Sequence, residues 1–198
     1  ITQKLASRTG NAAVIIATAT DIRAELVAIC AAHRAPMYIE KPLAFTRADF
    51  DKIYSINADL QKRSMVGFML RYHPLTDFLV SFTRQRFFRL HLEIGHDVRQ
   101  WRENWQFAES YAARAQGGGV LLDLCHEIDL IGLICPDLTL RDVTSIGHSA
   151  FPGVDIASTL SLVSDAGTTG TVSMDYLSPV LNRGGSLTGD AQNITFDF

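Results

Sequence analysis

In the segment Gly117-Gly-Gly-Val-Leu-Leu-Asp123-Leu-Cys-His126-Glu127-Ile-Asp129, four polar side chains interrupt an otherwise apolar run. Three of them, Asp123, His126 and Asp129, recur every third residue, while Val120, Leu121, Leu124, Ile128 and Leu130 around them call for burial. A carboxylate or imidazole is costly to bury unless it is paired, and such groups gather where chemistry is done. Three uses fit these types at this spacing. They are pairing for structure alone, acid–base work with His126 exchanging a proton, and metal ligation by Asp123, His126 and Asp129 joined by His96, as in a hydrolase or isomerase.

Glu40-Lys41-Pro42 follows a short apolar run, where a parallel strand would end. Ligands of open α/β sheets bind outside the carboxyl ends of strands. A lysine there donates a proton or hydrogen bond to a ligand, or is an ordinary surface lysine. Arg71, in Gly67-Phe-Met-Leu-Arg-Tyr-His-Pro74, also falls at a strand end, as a ligand contact or as the partner of a surface carboxylate. Trp101 and Trp105 are spaced one helical turn apart, suited either to a sugar ring or to core packing. Gly117, Gly118 and Gly119 belong to no GxGxxG or GxxxxGK[ST] phosphate loop, so their expected use is close backbone approach at the start of a buried helix.

The elements positioning these residues follow from periodicity. Residues 12–19 are a continuous apolar, β-branched run expected as a strand buried on both faces. A helix over 20–33 with Thr20 as N-cap follows, then a strand at 37–40, a helix over 46–62 opened by the capping sequence Thr46-Arg-Ala-Asp49, and a strand at 64–69. That alternation predicts part of a Rossmann-type doubly wound α/β sheet. Beyond it come a period-two strand at 87–95, a buried helix over 120–135, and strands near 140–149, 154–164, 168–177, 185–189 and 192–198. These predict an α+β domain with an open, mainly antiparallel sheet. The expected domains are residues 1–75 and 76–198, with the boundary near 71–85. Alternation such as Thr159-Leu-Ser-Leu-Val163 leads us to expect an apolar outer sheet face that takes a second copy, as a homodimer or homotetramer.

The 198 residues carry 18 Lys and Arg against 21 Asp and Glu, for a net charge of −3, which argues against a nucleic-acid footprint. No apolar run approaches the ~20 residues of a membrane span. Three cysteines, Cys30, Cys125 and Cys135, fit neither a disulfide framework nor a zinc site and point to reduced thiols in the cytoplasm. The strand pattern starts almost at once, with no targeting segment, and Phe198 falls inside another; the expectation is an incomplete chain that binds a dinucleotide weakly by itself.

In series, Val14-Ile-Ile-Ala-Thr-Ala-Thr20, Glu40-Lys-Pro42, Gly67–Pro74 and Gly117–Asp129 resemble the Gfo/Idh/MocA family of oxidoreductases over nearly the whole chain. The resemblance implies an N-terminal domain binding NAD or NADP and a C-terminal domain whose open sheet forms oligomer contacts. It implies that Thr18, Ala19, Thr20, Glu40, Lys41 and Arg71 lie along the cofactor, with Lys41 beside the nicotinamide. It further implies Asp123 and His126 as the acid–base pair, with substrates among sugars, sugar acids, cyclitols and nucleotide sugars. Two features depart from the family. The glycine-rich pyrophosphate loop is absent from this sequence, and His126 stands three residues after Asp123 where four is commoner, which makes Glu127 a rival base. A non-catalytic relative with the same fold is a third possibility.

Overall fold

The computed structural model describes residues 2–7, 12–82, 86–101 and 103–198. The chain forms two compact units, Ile1–Phe68 and Met69–Phe198.

The first unit contains α1 (Thr2–Ala6), β1 (Val14–Ile16), α2 (Arg23–Ala32), β2 (Met37–Ile39), α3 (Arg47–Tyr54), α4 (Ala58–Lys62) and β3 (Met65–Val66). Its strands form a parallel sheet in the order β1-β2-β3. Ile16, Met37 and Ile39 are buried in one cluster with Val27, Cys30 and Ile53 from the helices. On the opposite face Ile15, Tyr38 and Met65 are register partners, and Ile15 is 74% exposed. Each strand is shorter than its apolar run; the last bonds between them run from Glu40 N–H to the Ile16 carbonyl at 2.9 Å and from Gly67 N–H to the Ile39 carbonyl at 2.8 Å. Thr20 does not cap a helix. It opens a 3-10 turn, Thr20–Ile22, whose N-cap is Ala19 without a side-chain bond.

Thr46 does cap α3, accepting from Asp49 N–H at 3.1 Å. The single helix expected over 46–62 is two. Asn57 accepts from Asp59 N–H and starts α4 afresh, while the Gln61 amide donates to the Tyr54 and Ile56 carbonyls left over between them.

The second unit contains α5 (Pro74–Phe82), β4 (Phe87–Gly95), α6 (Val120–Asp123), α7 (His126–Ile134), β5 (Thr139–His148), β6 (Phe151–Val163), β7 (Thr169–Asp175), β8 (Asn182–Gly189) and β9 (Asn193–Asp197). The six strands run in the order β5-β6-β7-β4-β8-β9, antiparallel except for the parallel pair β4–β7. Leu90, Leu92, Leu160, Val172 and Leu187 line the buried face with Leu130, Ile131 and Ile134 of α7. The outer face is not apolar. Asp142, Ser161, Thr171, His91, Ser186 and Thr195 are successive register partners across it, while Leu160 and Leu162 pack in the core.

The helix expected over 120–135 is broken at Leu124 and Cys125. Cys30, Cys125 and Cys135 are buried thiols outside any disulfide. No helix among the described residues is long and apolar enough to cross a membrane.

Candidate active site

The second unit builds its polar centre around Asp123, at the last turn of α6. This carboxylate is 4% exposed and accepts from two phenols, the Tyr111 hydroxyl on Oδ1 at 2.7 Å and the Tyr176 hydroxyl on Oδ2 at 3.1 Å. Neither tyrosine stands out in the sequence. Burial, then the Asp123 charge, pushes the Tyr176 phenol far up, so it remains a protonated donor at any ordinary pH. Behind Tyr176, Trp101 packs edge-on at 5.3 Å, stacks on Trp105 at 5.7 Å, and Phe107 closes the cluster. The tryptophans are half-buried in a non-helical segment and pack with one another, so the structure shows their core role; a sugar contact rests on sequence alone.

His126 opens α7 and is buried. On a continuous helix a three-residue step leaves two side chains about 60° apart, and a four-residue step about 40° to the other side. The break at Leu124 and Cys125 removes that constraint, so the spacing does not by itself decide the register. Glu127, 2% exposed, forms an ion pair with Arg183 Nε of β8 at 2.8 Å and is thereby committed to the sheet. Asp129 is held by Arg71, whose Nε donates at 2.7 Å and whose Nη2 donates to the second oxygen. That fork raises the Arg71 pKa above the ordinary arginine value. Arg71 thus grips α7 within the second unit.

Of the expected metal ligands, Asp129 is thus paired with Arg71 and Asp123 with two phenols. Among the described residues no three His, Cys, Asp or Glu side chains form a group able to hold a metal ion. His96 packs on Trp101 rather than on Asp123.

The glycines before α6 serve close approach. A Cβ on Gly119 would stand 1.9 Å from Asp155 Oδ1, and the residue has φ +88 and ψ 162, a conformation open only to glycine. Asp155, which sequence reasoning did not single out, accepts from Leu121 N–H at 2.8 Å and caps α6. Gly119→Ala is expected to destabilise the protein by about 1–3 kcal/mol from strain, with a further loss as Asp155 is displaced. Thermal melting checks this against Gly167→Ala, which has the same φ of +88 but nothing within 4 Å of its Cβ. The excess loss at Gly119 combines the carboxylate collision with the strain of its extended ψ of 162.

The turn leading to Trp101 is set by Asp97, buried and forked by Arg99 through Nε and Nη2 at 2.9 and 2.6 Å. The Arg99 side chain, then its backbone N–H, lowers the Asp97 carboxyl to about 2. Its contribution to stability is therefore complete above the unfolded value of about 3.9 and is lost as pH falls through about 2. In an acid titration, tryptophan fluorescence should show a step between these limits that Asp97→Asn lacks.

In the first unit, the residues expected along a cofactor lie where the parallel strands end. Thr18 and Ala19 are exposed beyond β1. Glu40 follows β2, accepting from the Tyr38 hydroxyl at 3.2 Å and from Lys41 N–H at 3.1 Å. Gly67 follows β3, where a Cβ would meet the Tyr38 hydroxyl oxygen at 2.5 Å. Exposed hydroxyl and carbonyl groups, a carboxylate and an amine at adjacent strand ends suit the ribose and nicotinamide end of a dinucleotide. No glycine-rich pyrophosphate loop occurs in the sequence.

No family model matches the sequence, and no curated protein matches it. Solved structures do match. An inositol dehydrogenase homologue complexed with NAD+ from Azotobacter vinelandii superposes with a TM-score of 0.86 at 15% identity, over 99% of this chain and 54% of that one. An oxidoreductase domain protein from Kribbella flavida gives 0.82 at 20% identity, over 100% and 58%. A myo-inositol 2-dehydrogenase from Lactobacillus plantarum gives 0.79 at 15%, over 98% and 60%. The chain therefore spans little more than half the length of the structures it matches. Over that span it has the fold of the Gfo/Idh/MocA-type oxidoreductases, a Rossmann-type part followed by their α+β domain.

Proposed function

We propose that this chain belongs to an oxidoreductase that moves a hydride between NAD or NADP and a CH–OH carbon of a sugar-like or cyclitol alcohol. The observation that carries the reading is the buried Asp123 carboxylate, held by two phenols at the end of α6, with buried His126 beginning the next helix. A buried carboxylate and imidazole on a dehydrogenase fold are what oxidation of an alcohol needs, because the hydroxyl proton must leave as the hydride does. The bound nicotinamide supplies hydride acceptance.

In this reading His126 takes the hydroxyl proton at one of its ring nitrogens. Lys41 donates a hydrogen bond to the same oxygen and favours its developing negative charge. Asp123 orients His126 or binds an adjacent hydroxyl, and its two phenol donors fix the position of its oxygens. Thr18, Ala19, Thr20, Glu40 and Lys41 hold the ribose and nicotinamide end of the cofactor; Arg71, a cofactor contact by the family resemblance, grips Asp129. NAD is favoured by the Azotobacter homologue, which holds NAD+. Assembly as a homodimer or homotetramer through the hydroxyl-rich outer face of the six-stranded sheet belongs to the same reading.

The test is nicotinamide reduction by the full-length protein across a panel of sugars, sugar acids, cyclitols and nucleotide sugars, with NAD+ and NADP+ in parallel. Turnover of at least one alcohol is expected, lowered about 10²–10⁴-fold by His126→Asn. Firm NADH binding with no turnover across the panel would instead support a non-catalytic relative.

A further inference from the structure

Arg23, the first residue of α2, has no part in the reaction as described, yet it is 3% exposed. One terminal nitrogen, Nη2, donates to the Thr18 carbonyl at 2.5 Å, and the other, Nη1, donates to the Pro42 carbonyl. Thr18 lies on the segment leaving β1, and Pro42 on the segment leaving β2, directly after Lys41. One planar fork thus ties together the ends of two adjacent parallel strands, the location where open α/β sheets bind ligands.

Everything else about the position opposes a cation. Burial lowers the affinity of the guanidinium for its proton, with only the Glu40 charge acting the other way. A positive charge in the first turn of a helix opposes the helix dipole. The Arg23 Nε–H has no hydrogen-bond partner among the described residues. Helix stability would be served better by a neutral or acidic residue. What arginine alone supplies is a rigid pair of donors that reaches two carbonyls at once, which a lysine ammonium on a flexible stem does not reproduce.

We propose that Arg23 is a positioning residue, which sets the separation of the Thr18 and Lys41-Pro42 segments and thereby the point from which the Lys41 side chain is presented. The Lys41 backbone is held on both sides, by its own N–H on Glu40 Oε2 at 3.1 Å and by the Arg23 bond to the carbonyl that follows. Catalytic groups displaced by about 1 Å lose on the order of 10²-fold in rate, so a clamp on the backbone beside such a group acts on turnover. The inference rests on the reading of Lys41 given under Proposed function.

The experiment has two independent arms in the full-length protein. The first measures amide hydrogen exchange in Arg23→Met and the milder Arg23→Lys without any ligand. Exchange is expected to rise about tenfold in residues 18–20 and 41–44 and to stay unchanged in α3 and in the second unit. Unchanged exchange in both segments overturns the clamp whatever Lys41 does. The second arm is a double-mutant cycle on turnover of the alcohol that the panel identifies. Arg23→Met is expected to lower kcat 10–100-fold, and Arg23→Met/Lys41→Met to be no slower than Lys41→Met alone, because Arg23 acts through Lys41. A double variant slower by the full Arg23→Met factor overturns the proposal, since Arg23 then acts independently. If Lys41→Met is silent while exchange responds, the reading of Lys41 fails and the positioning role falls with it. Millimolar guanidinium ion should restore part of the kcat of Arg23→Ala, which a loss of folded protein would not show.

Discussion

His126→Asn is expected to lower kcat of the full-length protein by about 10²–10⁴-fold, and Lys41→Met and Asp123→Asn by factors in the same range. The size follows from the role. Without a base the hydroxyl proton must leave to water, and without the ammonium the oxygen develops its charge with one donor fewer. Asp123→Asn keeps the shape of the site, since Tyr111 and Tyr176 hydroxyls can each donate to or accept from an amide. Its effect is therefore a loss of charge rather than of packing. Cofactor affinity should change much less than kcat, because pyrophosphate and adenosine contacts are no part of the proton-transfer step, and the largest change should be that of Lys41→Met. Residues sharing one proton-transfer step are not additive, so Lys41→Met/His126→Asn should be scarcely slower than the slower single variant. Steady-state kinetics with direct measurement of NADH affinity checks both statements. Three variants with unaltered kcat would remove the mechanism and leave only the fold.

Glu127→Gln is expected to act on stability and hardly at all on kcat. Read from the sequence, Glu127 is a rival base, and its replacement should be silent if His126 holds that role. The structure replaces silence with a specific cost. Glu127 is 2% exposed and its partner Arg183 has 22% of its side chain exposed, so the neutral amide leaves a largely buried guanidinium uncompensated. Breaking a buried pair from one side costs about 3–5 kcal/mol, and the partial solvation of Arg183 places this case near the lower end. At about 2–4 °C per kcal/mol for a chain of this size, the melting temperature falls by on the order of 10 °C. Glu127→Leu/Arg183→Met should recover part of that loss, because replacing both charges removes their desolvation cost together. Differential scanning calorimetry reads the stability and single-turnover kinetics below the transition reads the chemistry. Should Glu127→Gln abolish turnover while His126→Asn leaves it intact, the base has been assigned to the wrong residue.

Much of the fold and the centre of the site were legible in the chain itself, since the signals that specify them act over a few residues. Period-two alternation located β4 at Phe87–Gly95, apolar β-branched runs located β1 and β2, and Thr46 with Asp49 marked the start of α3. An apolar helix bearing Asp123 and His126 announced buried polar groups for the same local reason, that spacing along a helix determines which side chains share a face. What those groups touch was not legible. Asp123 is met by Tyr111 and Tyr176 from 12 and 53 residues away, and Asp129 by Arg71 from 58 residues away. The break between α6 and α7, the parallel pairing of β4 with β7, and the inward turn of Leu160 and Leu162 are likewise outcomes of long-range packing. A buried charge must find a partner, but which partner depends on the side chains that the sheet order brings beside it. Periodicity carries the requirement for pairing and says nothing of that order. The sequence thus determined by itself which side chains would need partners, and the tertiary structure alone decided which partners they meet, Arg183 for Glu127 and Arg71 for Asp129.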